Sequence, residues 1–312
     1  MPPPRHTPAV SVVMATYNRS NIIGYAIQSL RSGNFQDWEL LIIGDACTDD
    51  TASVIERIGD PRIRFINLDQ NWGEQSGPNN QGAEMAKGEY LAFLNHDDLW
   101  LPNHLERSVQ RLQETDVDLV FGQGLAIGLK GHTHAICGAL CDFSQPYQAW
   151  MIVPASLWVM RRNLIQKIGP WKRANEIRAV PSQEWLYRAH QSGAQLLADP
   201  VVSAVLIQSG NRKNSYRKRL DHEHKFWVER LKDPNCICDV LSGLCGQSEY
   251  QRAFSPLNNA SNLFKSLIRK LMVMCRFFPP SPKYWLRYHS KGSFLRKLRR
   301  TRGLNPRLPN DH

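Results

Sequence analysis

Apolar runs that stop abruptly on polar or acidic residues recur through the first third of the chain. Val10 to Met14 (VSVVM), Glu39 to Ile43 (ELLII) and Tyr90 to Leu94 (YLAFL) lack polar alternation, the pattern of strands buried on both faces. The first leaves through Ala15-Thr16-Tyr17-Asn18-Arg19, the second through Asp45, the third through Asn95-His96-Asp97-Asp98. Arg62 to Asn67 alternates and predicts a further, less buried strand, and Asp118 to Phe121 predicts another short one. Between them, Ile22, Ile23, Ala26, Ile27 and Leu30 fall at helical spacing behind Ser20 and end at Gly33. Val54, Ile55 and Ile58 predict a helix opened by Thr48-Asp49-Asp50-Thr51, and Pro102 stands before one over Asn103 to Leu112. Asn71 to Asn80 reads as a turn-rich loop before a helix over Gln81 to Lys87.

Strands alternating with helices predict a parallel, doubly wound sheet with right-handed crossovers. Its carboxyl-end loops share one edge, where such sheets bind ligands, and Thr16, Tyr17, Asp45, Asp97 and Asp98 all fall there. Adjacent carboxylates at that edge suit a hard divalent cation that also takes phosphate oxygens. Capping of the following helix is the other use for Asp97 and Asp98, but the convergence of three strand ends favours a site. GxxxxGK[ST] is absent, and Gly122, Gly124 and Gly128 miss GxGxxG by one residue. Phosphate charge would then be met by metal and by Lys or Arg rather than by a glycine-rich cradle.

With 312 residues, 42% of them hydrophobic, the chain is large enough for one α/β domain and an appendage, which excludes disorder throughout. The opening MPPPRHTP carries no apolar stretch, so residues 1–8 are expected to be disordered, and neither a signal peptide nor an anchor is expected. Seven cysteines at irregular spacing fit a reducing, cytoplasmic setting. His132, His134, Cys137 and Cys141 match no zinc module, nor do Cys236, Cys238 and Cys245, and Asp221-His222-Glu223-His224 lacks the HExxH spacing.

The net charge of +11 comes from one end. Residues 251–310 hold fourteen Lys or Arg and no acid, leaving 25 basic against 28 acidic groups elsewhere. Within this tail Leu267, Ile268, Leu271 and Met274 recur at helical spacing among Lys265, Arg269, Lys270 and Arg276. Tyr284, Trp285, Arg287, Tyr288 and the basic run Arg296 to Arg302 follow. Residues 263–302 therefore predict an interfacial segment bound peripherally to an anionic membrane at its cytosolic face, with a helix packed on the catalytic part as the alternative. Nucleic acid is not expected, since it would gain nothing from the apolar face.

VSVVMATYNRS, LLIIGDACTDDT and NQGAEMAKGEYLAFLNHDDLWLP, spanning about residues 9–112, together resemble the nucleotide-sugar-binding half of the family 2 glycosyltransferases. PASLWVMRR, Gly169-Pro170-Trp171 and SQEWLYRAHQSG are similar to the acceptor-side half. The resemblance implies the A-type glycosyltransferase fold, a Rossmann-like, mostly parallel sheet flanked by helices. Residues 9–232 would be the catalytic domain, divided near 112, and 233–312 a basic helical extension. It implies that Thr16, Tyr17, Asn18, Asp45, Asn80 and Asp97 contact the nucleotide sugar, that Asp98 ligates Mn²⁺ or Mg²⁺, and that Glu184 is the catalytic base. Departures are Asn95 where the Asp-x-Asp begins, Gly44-Asp45 for an Asp-Asp pair, Asn79 where an Arg is common, and Gln183 before the base.

The activity so implied is inverting, metal-dependent transfer of a sugar, with UDP-sugar favoured, to a saccharide or lipid-linked hydroxyl. Arg212 to Arg217 reads as a solvated basic face, with a loop closing over the diphosphate as the alternative. A sugar-nucleotide-forming nucleotidyltransferase is the enzymatic rival, disfavoured because ATYNRS contains no glycine. A noncatalytic sugar-nucleotide or membrane-binding module is the rival that Asn95 and Gln183 suggest.

Overall fold

The computed structural model describes residues 7–128, 134–138, 147–254, 256–288 and 290–307. The strand-bearing part runs β1 (Val10–Thr16), α1 (Ile23–Arg31), β2 (Trp38–Gly44), α2 (Thr51–Ile58), β3 (Ile63–Asn67), α3 (Ser76–Met85) and β4 (Tyr90–Phe93). It continues with β5 (Asp98–Trp100), α4 (His104–Glu114), β6 (Leu119–Ile127), β7 (His134–Gly138), β8 (Trp158–Arg161), α5 (Asn163–Ile168), α6 (Pro181–Gln191) and β9 (Leu196–Leu206). The remainder is helical: α7 (Ser215–Lys218), α8 (His222–Arg230), α9 (Cys236–Phe254), α10 (Pro256–Met274), α11 (Pro282–Arg287) and α12 (Ser293–Arg302).

The strands form one sheet in the order β3-β2-β1-β4-β8-β6-β9-β5, with β7 pairing β6. The parallel order expected from the sequence holds for β3-β2-β1-β4. Beyond β4 the sheet is mixed, because β8 runs antiparallel to both β4 and β6 while β6 and β9 are parallel. β2 and β4 are buried throughout, as their unbroken apolar runs require.

Helix α3 begins at Ser76, inside the stretch whose glycines, proline and asparagines read as loop. Tertiary packing overrides that propensity: a Cβ on Gly82 would lie 2.4 Å from Val13 Cγ1, so glycine lets the helix approach β1 closely. The acidic segment is also more ordered than expected. Asp98 opens β5 and is paired with Leu206 of β9, so the backbone carrying its carboxylate is fixed by a ladder.

The expected boundary near residue 232 is bridged by a second apolar cluster. There Cys236 and Val240 of α9 are buried with Trp227, Leu99, Leu125 and Val205. The tail then divides in two. Phe264, Leu267, Leu271 and Met274 along α10, with Phe277 and Leu286, are exposed. From Phe278 onward the chain returns across the strand-bearing part. Phe278 stacks on Tyr187 of α6, Tyr284 Oη donates to Arg178 O at 2.7 Å, and Gly292 N donates to Ile177 O at 2.9 Å.

In the second half of 263–302 the alternative expected from the sequence, a helix packed on the rest of the protein, is what is observed for α12. The tyrosines, Trp285 and the run from Arg296 lie on the protein, because α12 turns Leu295, Leu298, Arg299 and Arg302 inward. Among the described residues no helix is long and apolar enough to cross a membrane. Of the readings made on sequence, residues 1–6, His132 and Cys141 lie outside the described residues. Among the described residues no group of three His, Cys, Asp or Glu is arranged to hold a metal.

Candidate active site

A cavity of about 400 Å³ opens at the carboxyl ends of β1, β2 and β4. Thr16, Tyr17, Asp45, Asn95, His96, Asp97 and Asp98 line one side, and Val180 to Gln183 at the start of α6 line another. Its size is that of ordinary small-molecule sites. Thr16 lines the cavity, is almost wholly buried, and its hydroxyl oxygen has no hydrogen-bond partner.

Asp45 leaves β2 directly into this cavity. It accepts from Trp72 N at 2.6 Å, Gly73 N at 2.9 Å and Asn71 Nδ2 at 3.1 Å, which ties the loop after β3 to the strand end. Burial raises its carboxyl to about 6, against the lowering effect of those backbone donors and of Arg299. Ala46 next to it has φ 56°, a left-handed conformation costly for a non-glycine residue. Gly44, the departure before Asp45, is required by packing: a Cβ there would lie 2.4 Å from Asn67 Oδ1. That oxygen accepts from Cys47 N at 2.7 Å, so Asn67 organises the turn from below.

The two acids after β4 differ sharply. Asp97 accepts from Ser209 Oγ at 3.0 Å and Gly210 N at 3.2 Å, and so anchors the loop after β9. Burial alone would raise its carboxyl, but His96, Arg19 and His224 around it and the Gly210 N–H hold it below the usual range. Asp98 accepts from Asn95 Nδ2 at 2.8 Å and Ser156 Oγ at 2.6 Å. Burial and then the Asp97 charge raise it to about 7, those hydrogen bonds opposing. The substituted Asn95 therefore orients Asp98 instead of adding a charge.

Sequence reasoning missed two members of this network. Arg19, 1% exposed, donates to Ser209 Oγ and to Ser215 O at 3.3 Å, with its guanidinium 4.9 Å from the Tyr216 ring centre. His224 lies in the run that lacks the HExxH spacing, yet it is buried, with Nε2 3.2 Å from Asp97 O. The polar company of Arg19 in TYNRS hid the first. His224 had a helical-spacing signal, being three residues from buried Trp227.

Three expected site residues are not on the cavity wall. Asn18 joins the loops after β1 and β2, accepting from Thr48 N at 2.8 Å. Asn80 exchanges hydrogen bonds with the Trp171 backbone at 2.8 and 2.9 Å. Glu184 is turned from the wall, its carboxylate held by Lys172 Nζ at 2.9 Å and Arg188 Nε at 3.1 Å. Its neighbour Gln183 lines the cavity and donates to Val153 O at 2.6 Å. Arg212, in the candidate diphosphate loop, is instead engaged by Glu223 and Gly128 O, whereas Tyr216 reaches the cavity.

The family model for glycosyl transferase family 2 matches residues 11–169, half of the sequence, and the chain belongs to that family. It is 29% identical over 113 residues to a UDP-Glc:alpha-D-GlcNAc-diphosphoundecaprenol beta-1,3-glucosyltransferase of Escherichia coli, covering 36% of this chain and 44% of that one. It is 36% identical over 112 residues to a GalNAc(5)-diNAcBac-PP-undecaprenol beta-1,3-glucosyltransferase of Campylobacter jejuni, covering 34% and 35%. The chain thus spans less than half the length of these relatives. Staphylococcus aureus TarS 1–349 in complex with UDP-GlcNAc shares the fold at TM-score 0.54 and 18% identity, over 64% of this chain and 58% of that one. A mannosyltransferase of Pyrobaculum calidifontis, in complex with GDP-Man and Mn²⁺, does so at TM-score 0.53 and 15% identity, over 96% and 89%. The A-type glycosyltransferase fold implied by the sequence is the fold observed.

Proposed function

We propose that the chain is an inverting glycosyltransferase that moves a sugar from a nucleoside-diphosphate donor, a UDP-sugar in the first instance, to a hydroxyl of a saccharide or lipid-linked acceptor. The observation that carries this is the convergence of Thr16, Asp45 and Asp98 on one cavity at three strand ends, within a chain of this family. Two relatives named for transfer to undecaprenol-linked sugars support the acceptor class and a place in cell-surface glycan synthesis.

Thr16, Tyr17 and Asp45, which line the cavity together, would hold the nucleoside. Asp98 would hold Mn²⁺ or Mg²⁺. A single carboxylate, with no group of three His, Cys, Asp or Glu arranged for a metal among the described residues, fits an ion that would complete its shell with donor phosphates and water. Such an ion, when bound, stabilises the leaving diphosphate as a Lewis acid. The acceptor hydroxyl loses its proton to a base as its oxygen bonds to the anomeric carbon, while the bond from that carbon to the diphosphate breaks with inversion.

Glu184 is the base in this proposal. To act it must leave Lys172 and Arg188 and turn toward the wall that Gln183 now lines. That pairing favours a noncatalytic sugar-nucleotide module as the second reading. The exposed apolar positions of α10 stand beside exposed Lys265, Arg269 and Lys270, and support peripheral docking on anionic lipid at the cytosolic face.

The test is UDP release by the full-length protein from UDP-glucose in the presence of an undecaprenyl-diphosphate-linked acceptor. Glu184→Gln should lose turnover by about 10²- to 10⁴-fold while UDP binding survives. Binding of UDP without turnover on any sugar donor or acceptor would favour the noncatalytic module.

A further inference from the structure

A nucleoside-diphosphate donor needs cations around its phosphates, and the cavity wall is rich in acid: Asp45, Glu74, Asp97 and Asp98. The permanently cationic side chains lining the cavity, among the described residues, are Arg299 and Arg302. Both belong to α12, in the tail, far from the segments that match the family model.

The inward face of α12 is Leu295, Leu298, Arg299 and Arg302, spaced i, i+3, i+4 and i+7, so one stripe of the helix faces the cavity. Its last turn is tied down by Asn214 N donating to Thr301 O at 2.8 Å. The two arginines have different duties. Arg299 is buried and committed, with Nη1 donating to Gly73 O and Nε to Asn305 O at 2.7 Å. Arg302 donates through Nε to Gly210 O at 3.0 Å, and its two terminal nitrogens have no partner among the described residues. The N–H of the same Gly210 meets Asp97 Oδ2 at 3.2 Å, so one residue joins Arg302 to the acidic pair, and all three side chains line the same cavity.

We infer that Arg302 binds the diphosphate of the donor and that Arg299 is a positioning residue latching α12 over the cavity, an inference that rests on the nucleotide-sugar reading above. A guanidinium offers parallel N–H groups that match two phosphate oxygens, which a carboxylate-lined wall cannot supply. The donor site is then built from both ends of the chain.

The experiment is calorimetric titration of the full-length protein with UDP, GDP and dTDP, each beside its parent nucleoside, with thermal midpoints recorded. For the diphosphate that binds wild type best, Arg302→Gln should weaken binding by about 10- to 100-fold and leave the nucleoside unchanged. Arg302→Lys, which keeps the charge without the fork, should fall between. Arg299→Gln should also weaken the diphosphate, and the double variant should bind no worse than Arg302→Gln alone, because Arg299 acts through Arg302. Wild-type affinity in Arg302→Gln overturns the inference and leaves the nucleotide-sugar reading standing. So does equal loss of nucleoside and diphosphate. A wild-type protein that binds none of the three diphosphates overturns both.

Discussion

Arg299 of α12 and Asp45 at the end of β2 are joined through one residue, Gly73: Arg299 Nη1 donates to Gly73 O, and Gly73 N donates to Asp45 Oδ2 at 2.9 Å. The tail helix is thereby coupled to the first acid of the candidate site. Burial raises Asp45 from 3.8 to about 6, and Arg299 works in the opposite direction. Between about pH 4 and 6 the folded state therefore binds a proton that the unfolded chain releases. Its contribution to stability is greatest below that window and is lost as pH rises through it. Arg299→Gln removes the opposing charge, so the Asp45 carboxyl should titrate higher and the loss should extend to higher pH. Carbon-13 NMR of the Asp45 carboxyl in the two proteins checks this, and an unchanged midpoint would contradict it.

Gly44 should be intolerant of any side chain. In Gly44→Ala the new methyl meets Asn67 Oδ1 and the Phe65 ring, at 2.4 and 3.0 Å before relaxation. Overpacking of this kind costs about 1 to 3 kcal/mol. A lowered urea midpoint with unchanged slope is the expected result.

The first four strands of the sheet order were legible because β1, β2 and β4 are unbroken apolar runs that end on polar residues, and both features follow from burial on two faces with a loop at one edge. β5 was hidden by its acids: Asp98 is a strand residue only because β9 offers Leu206 as partner, a contact that no local pattern records. The same holds for α3, whose Gly82 lowers helix propensity for the sake of contact with Val13. The site acids Asp45, Asp97 and Asp98 were visible as strand-end residues, whereas Asn18 and Asn80 proved to join backbone segments. α12 was misread because its arginines outnumber its leucines. Its inward stripe, Leu295, Leu298, Arg299 and Arg302, was present in the sequence, but a basic stripe looks alike whether it faces lipid, water or a cavity full of carboxylates.

The exposed face of α10 remains available for lipid. Serine at Leu267 and Leu271, both exposed, should reduce sedimentation with anionic vesicles while leaving UDP affinity unchanged. Added salt should weaken wild-type binding without abolishing it, because the apolar part is unscreened. Equal sedimentation of the double variant and wild type would remove α10 as the docking surface.

Ser156 should matter to the metal through Asp98, to which its hydroxyl donates, and through Asn95, whose N–H donates to that hydroxyl at 3.0 Å. Ser156→Ala removes a 2.6 Å hydrogen bond to that carboxylate, which lies in a buried setting that already favours its protonation. Loss of such a bond costs about 1 kcal/mol, so Mn²⁺-dependent UDP affinity near neutral pH should fall about fivefold. The deficit should shrink as pH is raised and Asp98 ionises in both proteins. A deficit independent of pH would point to a packing defect at Ser156 instead.

The central claim is that Asp98 and a divalent ion together hold the donor's diphosphate in this cavity. Calorimetric titration of the full-length protein with UDP, with and without Mn²⁺, in wild type and in Asp98→Asn, tests it most directly. Mn²⁺ should tighten UDP binding to wild type and make no difference to Asp98→Asn. Binding that is indifferent to Mn²⁺ in wild type, or equally enhanced by it in Asp98→Asn, would contradict the claim.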